Sequence, residues 1–179
     1  MMNIFNSPAR PFYQSVSMMH LDAIPLVAYK PFVKGLFTEN EKYITDELVE
    51  EVYEFFEGHT WYVQLAMNEL YILTAKEETC DKPMLKTALD NIIAMQDFTY
   101  QEIFSRLPDK QKEVIVAIAK EKKAEGVTSA RFIKQYRLSS SSSVQSGLKG
   151  LMEKDMVTQE QGVYQVYDKL LGVWLRRNY

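Results

Sequence analysis

The sequence predicts a mainly α-helical fold that carries one small β-hairpin near its C-terminal end, and three observations lead there. Between residues 29 and 106, apolar side chains recur at helical spacing, broken by short polar segments. Residues 128–154 then hold a short helix, a turn of serines, and a second helix with Val144, Leu148, Leu151 and Met152 on one face. Finally, two strand-like runs, Met156–Thr158 and Val163–Val166, flank a polar turn at Gly162. Helix, helix and hairpin in that order is a winged helix-turn-helix, so the expected fold class is mainly α with a small β-wing.

Taken in order, residues 1–28 read as an extended segment, because Pro8 and Pro11 each remove a donor and restrict the residue before them. Residues 16–21 alternate like an isolated strand, which needs a sheet elsewhere to be stable. From Pro25 a helix begins, with Tyr29, Phe32, Val33 and Phe37 as an apolar stripe and Leu36 beside it. Thr45-Asp46-Glu47 caps a second helix whose Leu48, Val49, Val52, Phe55 and Phe56 face inward. Its glutamates at 47, 50, 51, 54 and 57 make the opposite, solvated face.

Gly58 stands where a helix end needs a left-handed residue, and Thr60 is placed to cap the next helix, which Trp61, Leu65, Leu70 and Leu73 mark. After a polar loop, Pro83 suits a helix start. One long helix then runs from Met84 to Arg106, with Leu85, Leu89, Ile92, Ile93, Met95 and Phe104 inward. Residues 29–106 therefore read as a bundle of about four helices, and residues 107–179 as the winged domain. In the latter, Gln111–Glu125 is an expected helix stopped by Gly126, Ser139–Ser141 supply the N-cap of the second helix, and Asp168–Arg177 is a last helix.

Composition narrows the function classes. A hydrophobic content of 46% with 12% aromatics suits a packed core. No apolar run approaches the ~18 residues of a membrane span, and the N-terminus lacks the regions of a secretory signal. One cysteine, Cys80, forms no internal disulfide, and His20 and His59 lie too far apart to suggest a metal cluster. A cytoplasmic location is the expectation, with no membrane contact. Net charge is −3, yet residues 1–107 hold 8 Lys/Arg against 16 Asp/Glu, and residues 108–179 hold 13 against 8. The basic half favours a polyanionic partner, although an acidic neighbour within the chain explains it nearly as well.

Three local patterns resemble the C-terminal part of archaeal-type P-loop ATPases, within the wider AAA+ and STAND group. They are Ile4-Phe5 with Arg10-Pro11-Phe12-Tyr13-Gln14-Ser15 and His20-Leu21; Gly58-His59-Thr60-Trp61-Tyr62-Val63-Gln64; and Leu107-Pro108, Gln111 and Val114 with Tyr164-Gln165-Val166-Tyr167-Asp168 and Trp174-Leu175-Arg176. The resemblance implies that residues 1–28 are a remnant of or linker from an ATPase core, that 29–106 form a lid, and that Gly58, His59 and Thr60 lie near nucleotide. Thr60 and Lys169 depart from the family, which usually has proline at both places. A Gly-x-x-x-x-Gly-Lys-[Ser/Thr] loop is absent, as is an apolar strand ending in paired acids, so the chain is not expected to hydrolyse ATP. ATP and magnesium enter only with an ATPase core upstream.

Two function classes, with a third beside them, follow. The first is a regulatory lid and winged helix serving an ATPase core in cis. The second is a stand-alone reader of duplex DNA, contacting it through Arg131, Lys134, Arg137, Ser140, Ser142, Gln145 and Lys149, with Gln161 at the wing tip. The third is a protein-interaction adaptor. A nucleophile site built from His59, Cys80 and Asp81 is the weakest reading, because spacing alone cannot bring them together. The oligomeric state stays open.

Overall fold

A computed structural model describes residues 22–179, so the expected strand over 16–21, the Ile4-Phe5 and Arg10–Ser15 patterns and His20 lie outside the described residues. Helix α1 spans Leu26–Thr38, β1 Tyr43–Ile44, α2 Asp46–Phe55, α3 Thr60–Leu73, β2 Thr79–Cys80 and α4 Lys82–Ser105. These form the helical bundle. The winged part follows as α5 Asp109–Glu121, β3 Ala124–Glu125, α6 Ala130–Gln135, α7 Ser141–Glu153, β4 Val157–Glu160, β5 Val163–Val166 and α8 Lys169–Asn178. The fold is mainly α with a small β-wing, as the periodicities predict.

The helix starts are set by side-chain oxygens that accept otherwise unpaired N–H groups. Thr45 accepts from Leu48 N, Asp81 from Met84 N, Ser129 from Phe132 N and Ser140 from Ser143 N. Thr60 does not cap α3. It is the first helical residue, and His59 occupies the cap position without a capping hydrogen bond. Gly58 does adopt the left-handed conformation, at φ +71°, and a Cβ there would meet the Tyr53 hydroxyl at 2.7 Å. Side chain and backbone conformation thus both call for glycine at this turn.

Two strands join the bundle's loops. Ile44 and Cys80 are buried where β1 and β2 run parallel, tying the α1–α2 loop to the α3–α4 loop. In the winged part, the order is β3-β5-β4, all antiparallel, and Gln161-Gly162 closes the β4–β5 hairpin with both residues at positive φ.

Here the structure corrects the sequence reading. The helix expected to run from Gln111 to Glu125 ends at Glu121, and Ala124–Glu125 pair instead with Val163 and Tyr164. Periodicity could not show this, since the pairing partner lies some forty residues later. Several residues expected to face inward are exposed: Phe32, Leu36, Phe55 and Met95.

One continuous core runs from Tyr29 in α1 to Leu175 in α8. Helix α8 packs against both α4 and α5, so the last helix of the winged part also rests on the longest helix of the bundle. Trp174, 1% exposed, fills that seam; its ring lies 6.0 Å from Tyr100 and 6.0 Å from Phe104, and its Nε1 donates to Asp97 Oδ1 at 2.6 Å.

Candidate functional site

Among the described residues, a polar cluster is built around Asp168, at the seam between bundle and winged part. Asp168 caps α8, with Oδ1 accepting from Leu170 N at 2.9 Å and Leu171 N at 3.2 Å. The same carboxylate reaches across the seam. Tyr62 of α3 donates to Oδ1 at 3.1 Å, and Tyr100 of α4 donates to Oδ2 at 3.0 Å. Burial and the Asp168 charge push both phenols well above the ordinary tyrosine range, so both stay protonated as donors. One side chain thus ties three helices from both parts of the molecule together.

Ion pairs flank this cluster. Glu57, just after α2, accepts from Lys169 at 2.5 Å and from Lys123 at 2.9 Å, and the Lys169 hydrogen bond holds its carboxyl below the usual range. Arg177 of α8 meets Asp90 of α4 at 2.7 Å. The acidic bundle and the basic winged part therefore neutralise one another in part, which was the internal explanation of the charge asymmetry. Exposed pairs of this kind contribute little stability singly; their value here is that all three join the two parts.

Sequence reasoning placed Asp168 at a helix start, and the apolar run after it is the signal for a cap. Its two tyrosine partners, 106 and 68 residues away, leave no local trace.

The turn Gly58-His59-Thr60 opens α3, the helix that carries Tyr62. Gly58 is buried, whereas His59 and Thr60 are exposed. The imidazole lies 4.7 Å from the Tyr62 ring, so it sits beside the Asp168 cluster without joining it. Cys80 is 2% exposed in β2, with its thiol pushed up by burial, and makes no contact with His59. The nucleophile reading therefore has no site.

The predicted DNA-facing residues are all exposed on the winged part. Arg131 and Lys134 are exposed on α6, Arg137 is exposed in the following turn at φ +54°, and Gln161 is exposed at the wing tip at φ +49°. Ser142, Gln145 and Lys149 fall on one exposed face of α7. Gln145 and Lys149 also line a groove with Thr128, Met152 and the wing residue Tyr164. Ser140 is different, because its hydroxyl already accepts from Ser143 N and meets the Ser142 hydroxyl at 3.1 Å.

Among the described residues, no helix is long and apolar enough to cross a membrane.

A family model described as "Probable winged helix domain" matches residues 98–177, from inside α4 to the end of α8. No curated protein matches the chain. Among solved structures, the Walker-type ATPase PABY2304 of Pyrococcus abyssi is similar, with a TM-score of 0.63 and 17% identity. The match covers 96% of this chain and 47% of that one, so the chain spans about half the length of that protein. At that identity the likeness is one of fold. The C-terminal part is a winged helix domain, and the fold of the chain is similar to that of part of that ATPase.

Proposed function

We propose that this chain is a non-catalytic regulatory module, a helical lid and winged helix that move as one body to report the nucleotide state of a P-loop ATPase core. The observation that carries this reading is the Asp168 cluster. A lid can signal to a winged helix only if the two are mechanically joined, and Asp168 joins α3 and α4 of the lid to α8 of the winged helix. The fold shared with a Walker-type ATPase over nearly the whole chain supports it, as do the residue patterns that resemble archaeal-type ATPases. In this role His59 is the residue placed to approach nucleotide, and ATP with magnesium belongs to the core. The reading is tested by sequencing the gene upstream of the Met1 codon. It expects an in-frame P-loop followed by an apolar strand ending in acidic residues; a stop codon shortly upstream, with no such core encoded beside it, contradicts it.

A second reading, DNA binding by the winged helix, is favoured by one specific feature. Arg131, Lys134, Arg137 and Lys149 are exposed, and none is engaged by a carboxylate among the described residues. Four such cations, if all met phosphates, would give a slope of log affinity on log salt of about −3 to −4. Titration of a duplex at rising salt reads this slope. Arg137→Ala and Lys149→Ala should each flatten it by about one unit, and undetectable binding at low salt would leave the regulatory reading alone.

A further inference from the structure

A cavity of about 420 Å³ opens between the end of α2, the α5–β3 turn, β5 and α8. Its apolar wall is Phe55, Ala119, Val166 and Val173, and four cations surround it: Lys122, Lys123, Lys169 and Arg176. Three carboxylates also line it. Glu121 is engaged with the Tyr136 hydroxyl at 2.6 Å and the Gln135 amide at 2.9 Å, and Glu57 is shared by Lys123 and Lys169. Glu54 is the third, and the formal balance is one positive charge.

Two features of this cavity are unexplained by folding alone. Arg176 is half-buried, yet no carboxylate pairs with it among the described residues. One of its five N–H donors goes to Ala119 O at 3.0 Å, at the end of α5, and the rest have no protein acceptor. Those remaining N–H groups are not sealed in the core, so they are open to a ligand in the cavity that Arg176 lines. Lys122, on the rim, has φ +63° and ψ −57°, and the hydrogen bond from Lys123 N to Glu121 O at 2.7 Å closes a γ-turn around it. This is the rare, strained form of that turn, and a lysine is an unfavourable residue for it. Strain of this kind persists where the surrounding structure enforces it, and it clusters at sites that bind.

We propose that this cavity is a binding site for a phosphomonoester, with the phosphoryl group held by Arg176 and Lys122 and an apolar body resting on Phe55 and Val173. Arg176 supplies the planar fork that suits two phosphoryl oxygens, and Lys122 adds a point charge from the rim. Lys123 and Lys169 close the outer side through Glu57. Because the walls come from both the bundle and the winged part, such a ligand would brace the seam that Asp168 crosses from the other side. The site stands on the cavity itself and does not require the regulatory reading, so a failure here leaves that reading untouched.

The test is a titration of the 179-residue chain with inorganic phosphate and with phenyl phosphate, at constant ionic strength, followed by amide chemical shifts. Saturable shifts at Gly172, Val173 and Lys122 are expected with both probes. Tighter binding of phenyl phosphate places the ester's body on the apolar wall, whereas equal affinity reduces the ligand to free phosphate in the same phosphoryl site. Arg176→Gln and Lys122→Gly should each weaken binding by about tenfold, the loss of one charge-assisted contact. Lys122→Gly relieves strain rather than adding it, so it remains folded even if Arg176→Gln does not. Glu54→Gln should strengthen binding by removing a facing negative charge. Shifts that do not saturate, or affinities equal in native protein and Lys122→Gly, overturn the proposal.

Discussion

At the scale of single residues, Asp168 decides how the two parts meet. Its carboxylate makes four hydrogen bonds, two as a helix cap and two to phenols on other helices. Tyr62→Phe and Tyr100→Phe should each cost about 1–2 kcal/mol, the value of a hydrogen bond to a charged group less the gain from a more apolar ring. Their costs should not add, since both act on one carboxylate. Asp168→Ala should cost more than either, because it removes the cap and strands both hydroxyls. The raised phenols give a sign for pH. Each has a folded pKa above its unfolded value, so the stabilisation is complete below about pH 10 and is lost as pH rises beyond it. Denaturant midpoints measured from pH 8 to 11 should therefore fall steeply at the alkaline end, and less steeply in Tyr100→Phe. A native midpoint unchanged through pH 11 would contradict the assignment.

At the scale of elements, the sequence was most informative where a local rule governs. Thr45 and Ser140 were legible as caps, Gly58 as a left-handed turn, and Gly162 as a hairpin residue, because each depends on neighbours two to four positions away. Strand β3 was not legible, because two residues following an amphipathic helix look like its last turn until β5 arrives to pair with them. The same holds for the γ-turn at Lys122, which nothing in Glu121-Lys122-Lys123 announces. Helix α7 offers a paired test of how closely packing is specified. A Cβ at Gly147 would meet Lys110 O and Val114 Cγ2, both at 3.2 Å, whereas one at Gly150 meets only the movable end of Gln111. Gly147→Ala should be the more destabilising, by about 0–2 kcal/mol, which is about 1–3 kcal/mol of overpacking less about 1 kcal/mol of helix propensity. Gly150→Ala should be near neutral, since about 1 kcal/mol of helix propensity offsets the displaced Gln111–Lys154 contact. Equal thermal shifts for the two variants would show that α5 and α7 are not in close contact.

At the scale of the whole molecule, the periodicities foretold a bundle and a winged helix but not how they are joined. Contacts across the seam link residues far apart in the chain: Tyr62 to Asp168, Asp97 to Trp174, Glu57 to Lys169. No window of sequence contains both partners of any of them. The exposed Phe32 and Met95 were likewise misread as core, because periodicity finds an apolar face without saying what covers it. The helical bundle and the winged helix are joined through the Asp168 seam, and native-state hydrogen exchange tests most directly whether they behave as one mechanical body. The most protected amides of α3 and of α7 should open together, with one shared free energy in the native chain. In the Tyr62→Phe/Tyr100→Phe double variant those free energies should separate, α3 falling apart from α7. Distinct opening free energies for the two helices in the native protein, or no change in the double variant, would contradict the claim.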